Sequence, residues 1–281
     1  MKKDLVIGAY TNYNWDTIKY WVNSLDKSGF TGDKVVIAYN SSSSTVNELI
    51  NRGYAVQAFA RNDVGDFVYP SDFIIVVTRF IHLWNYLNNL SNIDDYRYVI
   101  TTDMKDVIFQ KNPSEWLEQH LIDKKVCASS ESLKYENEAW GADNMQGSFP
   151  ELWNNIKDKT IWNCGVQAGE IKIMRDLWLQ IYLTCSAGKR PNPDQAAYNL
   201  LLNMEPWKSI TRFTSSEEGW AAQLGTTMDP NKIESFKSFL LEPTPGIANE
   251  CVTTSSGLVY PIVHQWDRIP ELKNIVMSKF Q

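Results

Sequence analysis

The stretch Tyr96-Arg-Tyr-Val-Ile-Thr-Thr-Asp-Met-Lys-Asp106 decides the fold that we predict for this chain. It reads as a short apolar strand that runs directly into two carboxylates. Upstream of it, apolar runs alternate with segments of helical periodicity. Strands are predicted at 5–11, 34–39 and 56–60, and helices at 16–25, 45–52 and 72–87. This alternation predicts a Rossmann-like α/β fold, with a mostly parallel central sheet and helices on both faces.

Downstream of residue 110 the pattern is less regular and ends in a loop-rich tail. Strands are predicted at 126–130 and 165–170, and helices at 171–183 and 194–202. The chain has neither an internal repeat nor a clear linker, so we predict one domain that covers residues 1–281. Its nucleotide-binding half would be 1–110, and 111–281 would form the acceptor half with a C-terminal metal-binding segment.

The composition fits a globular protein whose main partner is not a nucleic acid. The 281 residues are 43% hydrophobic and 21% charged, which allows a full core and excludes global disorder. The net charge of −6 disfavours general binding to a polyphosphate backbone. Eleven Trp and thirteen Tyr allow ring-stacking residues in a binding site, although most aromatic side chains belong to the core.

We expect a soluble, cytoplasmic protein with reduced cysteines. The N-terminal apolar run 5–9 is too short for a signal peptide, and the longest apolar run elsewhere, 73–77, is too short to cross a bilayer. The four cysteines are widely spaced and form no Cys-x-x-Cys pair. We therefore predict buried thiols and no structural zinc site.

The carboxyl ends of the predicted strands mark the expected ligand site, because ligands bind there in sheets of this type. Three segments share this rim, namely 8–12, 39–41 and 103–106. Asp103 and Asp106 offer the carboxylate oxygens that Mg²⁺ and Mn²⁺ prefer, and such an ion also binds diphosphate oxygens. The alternative interpretation is a simple turn, since Asp is common where strands end.

Two later motifs carry polar side chains that suit a ligand. Asn163 can bind a hydroxyl group, and Gly165 allows the backbone to approach a ligand closely; the alternative is a tight turn between strands. Asp194 and Gln195 open a predicted helix and could contact a sugar at the reaction centre. Asp194 could equally serve only as the N-cap of that helix.

Three charged or titratable residues are further candidates. His264 ends a strand-like run beside polar residues, whereas the other two histidines lie in helical patterns and are predicted to be structural. Arg79 precedes the fourth strand and could reach a diphosphate or pair with Asp106, with a solvated helix charge as the alternative. Asp143 lies in Trp140-Gly-Ala-Asp-Asn144, a predicted loop that forms either the acceptor wall or a surface turn.

The order of these motifs resembles the GT-A glycosyltransferases, and in layout the glycogenin-like enzymes. Those enzymes have an Asp-x-Asp motif after the fourth strand, an Asn-x-Gly strand, an Asp-Gln pair and a late metal-binding His. The tracts 102–110 and 264–268 also look like those of some microbial and viral glycosyltransferase-like proteins. The resemblance covers about residues 4–268. The matching residues are Asp103, Asn163 with Gly165, Asp194 with Gln195, and His264.

The resemblance implies a hexosyl- or pentosyltransferase that moves a sugar from a nucleotide diphosphate sugar, by analogy a UDP-sugar, to a hydroxyl of a glycan or another acceptor. The expected metal ligands are Asp103, Asp106 and His264, which would hold Mn²⁺ or Mg²⁺. The expected catalytic residues are Asp194, Gln195 and Asp143. The residues expected to bind the donor are Ala9, Tyr10, Thr11, Tyr39, Arg79, Thr102, Lys105, Asn163 and Gly165.

The stereochemical outcome stays open. An inverting enzyme needs a carboxylate base, for which Asp143 and Asp194 are the candidates, while the glycogenin-like layout favours retention. The spacing of the acidic motif is also unusual, because the chain has Asp-x-x-Asp in place of Asp-x-Asp. Side chains three apart on a strand point to opposite faces, so Asp106 can join Asp103 only through a turn. Otherwise Lys105 contacts the diphosphate directly and the metal is dispensable.

Other functions compete with this interpretation. A nucleotidyltransferase uses a similar sheet, but it usually has a Gly-rich basic loop after the first strand, and residues 8–13 contain one glycine and no basic residue. A non-catalytic sugar- or nucleotide-binding protein would suit the aromatic content without requiring two carboxylates and a histidine together. A glycosyltransferase that modifies nucleic-acid bases is disfavoured by the acidic net charge.

Overall fold

A seven-stranded sheet forms the centre of the computed structural model, which describes residues 2–69 and 74–281. The strands, in chain order, are β1 (Lys3–Thr11), β2 (Asp33–Tyr39), β3 (Ala55–Ala58), β4 (Tyr96–Asp103), β5 (Val107–Phe109), β6 (Val126–Lys134), β7 (Thr160–Glu170), β8 (Thr211–Thr214), β9 (Ala221–Gln223), β10 (Gly246–Ala248), β11 (Cys251–Thr253) and β12 (Ile262–His264). The helices are α1 (Trp15–Lys27), α2 (Ser43–Asn51), α3 (Ile75–Asn88), α4 (Pro113–His120), α5 (Ala139–Ser148), α6 (Trp153–Ile156), α7 (Ile171–Ala187), α8 (Asp194–Leu202), α9 (Trp207–Ile210), α10 (Leu224–Thr227), α11 (Ile233–Phe236) and α12 (Pro270–Lys279).

The first half of the chain follows the predicted alternation of strands and helices, from β1 through α3 to β4. The helix predicted at 72–87 is α3, and residues 72 and 73 of that prediction lie outside the described residues. The helices predicted at 171–183 and 194–202 are α7 and α8. One expectation was wrong, because the segment around Asp143 is the helix α5 and not a loop.

The strand order of the main sheet is β3-β2-β1-β4-β7-β6-β8. β1 runs parallel to β2 and β4, and β2 runs parallel to β3, whereas β7 runs antiparallel to both β4 and β6. Both faces of this sheet are covered. Ile7 packs into a core with α3 and α7, while its neighbour Val6 packs against α1. The mostly parallel α/β fold with helices on both faces is therefore confirmed.

A smaller sheet, in the order β5-β12-β9, was not predicted. β12 runs antiparallel to β5, so that His264 lies opposite Val107, one residue after Asp106. β12 also runs parallel to β9, which places His264 beside Gln223. This sheet therefore carries the C-terminal histidine to the carboxyl end of β4.

The described residues include four free cysteines, of which three are buried and Cys251 is partly exposed. Within the same ranges, every helix falls short of the length or the hydropathy that a bilayer crossing requires.

Candidate active site

The two carboxylates of the Asp-x-x-Asp motif are brought together by a bend of residues 104–106 between β4 and β5. Met104 anchors the bend, because its side chain is buried in the core beneath Gly8. A Cβ added at Gly8 would lie 2.5 Å from the Met104 Sδ atom, so the glycine makes room for this anchor. The bend supplies the turn that a three-residue spacing requires, and it leaves Lys105 half exposed.

His264 faces both carboxylates from the end of β12. Its Nε2 atom lies 3.6 Å from Asp106 Oδ1 and 3.9 Å from Asp103 Oδ2. Its Nδ1 atom is 2.8 Å from Gln223 Oε1, and the amide group of Gln223 donates to Ser129 Oγ at 2.9 Å. An amide oxygen can only accept, so Nδ1 carries the proton of this hydrogen bond. Nε2 is therefore directed at the carboxylates.

Asp103, Asp106 and His264 form a cluster that could hold a metal ion. Each of the three offers one ligand atom, and these atoms all lie within 4.8 Å of one another. Gly165 leaves the space that an ion needs, because a Cβ there would lie 2.7 Å from His264 Cε1 and 2.8 Å from Asp103 Oδ2. Carboxylate oxygens with one imidazole nitrogen suit Mn²⁺, and the carboxylates also suit Mg²⁺. The donor set and the open space both fit such a group.

The charges of the cluster favour a cation between the carboxylates. Burial alone would lower the pKa of the His264 imidazole, but Asp106 and Asp103 outweigh burial and hold this pKa above its usual 6.5. Burial alone would raise the pKa of the Asp106 carboxyl, but His264, with Arg268 and Lys105, holds it below its usual 3.8. An ion that binds here displaces the imidazole proton and takes over its positive charge.

Arg79 lies on the other side of Asp103. Its guanidinium donates a hydrogen bond to Asp103 Oδ1, and its Nη2 atom is 3.6 Å from Asp194 Oδ2. Of the alternatives that the sequence left open for Arg79, a solvated helix charge is wrong, because the residue is only 9% exposed, and a pair with Asp106 is wrong, because its carboxylate partners are Asp103 and Asp194. The physical reason is that α3 and the start of α8 approach Asp103 together, whereas Asp106 faces His264 of the smaller sheet.

Two cavities meet at this cluster. The smaller, of about 260 Å³, lies over the carboxyl end of β1 and is lined by Ala9, Tyr10, Thr11 and Lys105 among others. The larger, of about 470 Å³, extends towards α5, α8 and α10. Both are lined by Val76, Arg79, Asp103 and Asp106. A ligand that extends through both cavities would pass Asp103 and Asp106 at its middle.

The larger cavity contains most of the other residues that the sequence singled out. Asp194 and Gln195 line it at the start of α8, together with Asn163 and Gly165 of β7. The Asn163 carboxamide oxygen accepts from the backbone N–H of Gly165 at 2.8 Å, while its amide group donates to Glu131 at 2.8 Å. Asn163 therefore shapes the backbone at Gly165, next to Asp103 and His264, as well as lining the cavity.

Three of the expected residues lie elsewhere. Tyr39 is fully buried, and its hydroxyl pairs with His82 Nδ1 at 2.7 Å, so it cannot stack on a nucleotide base. Thr102 is also buried and accepts from the Trp21 indole at 2.7 Å. Asp143 lies on the exposed side of α5, where its carboxylate pairs with Arg190 at 2.7 Å; the described lining of the cleft does not include it.

Three residues of the site were not assigned from the sequence: two line the larger cavity, and the third, Gln223, is buried and contacts His264. Glu131 lines the larger cavity just beyond the strand predicted at 126–130, where a carboxylate after an apolar run was a usable signal. Arg268 lines the same cavity, and a Cβ at Gly225 would lie 2.5 Å from its Nη1 atom, so this glycine makes room for the guanidinium. Gln223 carried no sequence signal, because its role depends on the pairing of β9 with β12.

Comparison with known proteins identifies the fold. No protein-family model and no curated protein sequence matches the chain. Among solved structures, 354 chains match, and one of them is the apo structure of WbbM, a bifunctional glycosyltransferase. The two superpose with a TM-score of 0.59 at 15% sequence identity, over 100% of this chain and 52% of that chain. This chain therefore has the fold of about half of that protein.

Proposed function

We propose that residues 1–281 act as a single GT-A type glycosyltransferase domain, which transfers a sugar from a nucleotide diphosphate sugar to an acceptor hydroxyl. The observation that carries this proposal is the convergence of Asp103, Asp106 and His264 at the junction of two cavities. The bend after β4 supports it, because it gives an Asp-x-x-Asp motif the convergence that an Asp-x-Asp motif has on a straight strand. The fold shared with a bifunctional glycosyltransferase agrees with it.

The smaller cavity would hold the nucleotide. Ala9, Tyr10 and Thr11 line it at the carboxyl end of β1, where ligands of such sheets bind. We propose UDP as the nucleotide, by analogy with the resemblance noted in the sequence. Mn²⁺ or Mg²⁺, when bound, neutralises the charge that develops on the leaving diphosphate. Lys105, which lines the smaller cavity, and Arg268, which lines the larger one, would bind the diphosphate oxygens.

The larger cavity would hold the sugar and the acceptor. Asp194 and Gln195 would orient the sugar hydroxyls near the metal-binding residues. The acceptor oxygen forms a bond to the anomeric carbon while the bond from that carbon to the diphosphate oxygen breaks and the electron pair leaves with the diphosphate. We assign the acceptor proton to Asp194, whose carboxylate lies in the cleft, in place of Asp143, which lies outside it.

A calorimetric titration of UDP, with and without Mn²⁺, tests the donor site. We expect the native chain to bind UDP at least about tenfold more tightly with Mn²⁺, because an ion held by Asp103, Asp106 and His264 would offset the negative charge of the diphosphate. Asp106→Asn and His264→Asn should lose this gain. Asp143→Asn is the matched control, since it alters a carboxylate on a neighbouring element outside the cleft, and it should bind as the native chain does.

Each outcome of this titration has a definite meaning. Metal-dependent binding with hydrolysis of UDP-glucose or UDP-galactose supports the transferase. If UDP binds equally well without Mn²⁺ and to Asp106→Asn, the proposed metal site is wrong. Lys105 and Arg268 would then be the residues that bind the diphosphate. Failure to bind UDP, GDP, ADP and CMP with either metal overturns the transferase and leaves a non-catalytic binding protein. Release of pyrophosphate from a nucleoside triphosphate and a sugar phosphate would identify a nucleotidyltransferase.

A further inference from the structure

Trp140 is unusual among the tryptophans of this chain. All eleven lie in the described ranges, and Trp140 is the only one that is exposed, with half of its surface accessible. Its side chain lines the larger cavity, the same cavity that holds Asp194 and Gln195. An exposed indole gives up the full or partial burial that the other ten have, and this one does so in the cavity of the proposed reaction centre.

The start of α5 is held firmly in place. Glu138 is its N-cap, is 5% exposed, and accepts from the backbone N–H groups of Trp140 at 3.4 Å and Gly141 at 2.6 Å. One turn later, the Asn144 side chain donates to the Asn192 carbonyl at 2.9 Å, and this ties α5 to another segment that lines the cavity. The backbone that carries the indole is therefore pre-organised, which reduces the ordering cost of a ligand that stacks on it.

The cavity that Trp140 lines is also lined by polar groups. Glu131 has 8% of its surface exposed and lines the same cavity, as do Asn192 and Gln195. An alkyl chain seated here would cover carboxylate and amide groups without offering them hydrogen bonds, which is unfavourable. A sugar ring fits both features, because its C–H face can lie on an indole while its hydroxyls bond to carboxylates and amides.

We propose that the acceptor is a glycan, and that one of its sugar rings stacks on the Trp140 indole at the mouth of the larger cavity. This inference rests on the proposed function, since it names the substrate class of the same cleft. Trp140 is thus a binding residue for the acceptor, whereas the nucleotide of the donor would lie in the smaller cavity, on the other side of Asp103 and Asp106.

The test compares Trp140→Ala and Trp140→Phe with the native chain, and uses Leu183→Ala as the control. Leu183 is an equally exposed apolar residue on α7 that lies outside the described lining of the cavity. Each protein is first titrated with UDP and Mn²⁺ and assayed for hydrolysis of the UDP-sugar that the native chain accepts. Each is then applied, with UDP and Mn²⁺, to an immobilised panel of mono- and oligosaccharides, and the dissociation constant is measured for those that bind.

We expect Trp140→Ala to raise the dissociation constant of a bound glycan about tenfold, and Trp140→Phe to raise it about two- to threefold because a smaller ring still stacks. UDP binding should stay within about twofold of native in both variants, because Trp140 is not among the residues that line the smaller cavity. In Leu183→Ala both UDP binding and donor hydrolysis should stay within about twofold of native. Native protein that binds UDP but no glycan of the panel overturns this inference alone. Equal glycan binding by Trp140→Ala and the native chain overturns it too, whereas absent UDP binding overturns the proposed function first.

Discussion

At the scale of single residues, Asp194 shows how burial sets protonation in the cleft. Its side chain is 14% exposed and lies 3.6 Å from the Arg79 guanidinium. Burial raises the pKa of the Asp194 carboxyl from 3.8 to about 6, against the opposing effect of Arg79. A carboxyl group poised near the operating pH is suited to exchange a proton with an acceptor.

We expect donor hydrolysis to fall as the pH drops through about 6, because protonated Asp194 cannot accept a proton from the attacking oxygen. Measuring kcat between pH 5 and 8 at saturating Mn²⁺ tests this. Asp194→Asn should lower kcat at pH 8 by roughly 10²- to 10⁴-fold and remove this limb of the profile. Mn²⁺ affinity must be measured at each pH as a control, since loss of metal would also lower the rate.

The raised pKa of Asp194 also affects the free energy of unfolding, but it favours low pH, whereas the proposed activity favours high pH. The folded state binds the Asp194 proton more tightly than the unfolded state does. The resulting stabilisation is therefore fully present below about pH 4 and is lost as the pH rises through about 6, a change of about 3 kcal/mol. Asp194→Asn should consequently be at least as stable as the native chain in chemical unfolding at pH 8. A clear loss of stability there would contradict this account of the carboxyl.

At the scale of secondary-structure elements, the geometry of His264 depends on its two neighbouring strands. Pairing with β5 places His264 opposite Val107, next to the bend that carries Asp103 and Asp106. Pairing with β9 places it beside Gln223, whose amide oxygen accepts a hydrogen bond from Nδ1 at 2.8 Å. Gln223 is itself held by Ser129 of β6 at 2.9 Å. The main sheet thus orients a histidine of the smaller sheet through one glutamine.

We expect Gln223→Leu to weaken Mn²⁺ binding about 10- to 100-fold, because the imidazole loses the partner that fixes its ring and its protonated nitrogen. Ser129→Ala is a control for which we expect a smaller loss of Mn²⁺ affinity. It removes the support of the glutamine but keeps the contact to His264, so its effect should be smaller. Mn²⁺ titration followed by electron paramagnetic resonance measures both, with thermal unfolding to show that the folds are intact. Unchanged affinity in Gln223→Leu would remove His264 from the proposed ligand set.

The elements also differ in how far the sequence predicts them. The strands at 34–39 and 96–102 were predictable because both faces of the main sheet are buried, which gives continuous apolar runs bounded by turn residues. β5, β9 and β12 have three residues each, too few to show a period, and they gain their pairing only from tertiary contacts. The convergence of Asp103 with Asp106 was the preferred one of two alternatives, and the sequence alone did not decide between them because the bend depends on the burial of Met104.

For the predicted binding residues, too, the sequence indicates the position along the strand but not the direction of the side chain. Tyr39 and Thr102 stand at the expected end of their strands, but their side chains point into the core, and one sequence does not show which face of a strand end is open. The segment that contains Trp140 was predicted to form either the acceptor wall or a surface turn. The exposure of the Trp140 side chain could not be predicted, because it depends on how α5 packs beside α8. A sequence shows which residues are polar and in what order the motifs occur along the chain. It does not show the direction of a side chain at the end of a strand or helix, because packing sets that direction.

At the scale of the whole molecule, the candidate metal site of Asp103, Asp106 and His264 joins the main sheet to the C-terminal segment. Beyond His264, that segment returns to α1, where the Asn23 amide donates to the Phe280 carbonyl at 3.1 Å and Tyr20 packs edge-on against Trp266. A ligand held by Asp103, Asp106 and His264 would therefore contact both the carboxyl end of β4 and the beginning of this segment. Its binding energy would stabilise the connection between them.

We expect UDP with Mn²⁺ to slow amide hydrogen exchange in residues 262–268 as well as in 103–106, because both segments supply proposed ligands to the same ion. At about 100 times the dissociation constant, mass action stabilises the bound state by about 2.7 kcal/mol, which limits the slowing to roughly 100-fold. The edge strand β3 is the internal control and should be unaffected, as should all segments in Asp106→Asn. Protection confined to 103–106 would show that the C-terminal segment takes no part in donor binding, and His264 would then be a structural residue of the smaller sheet.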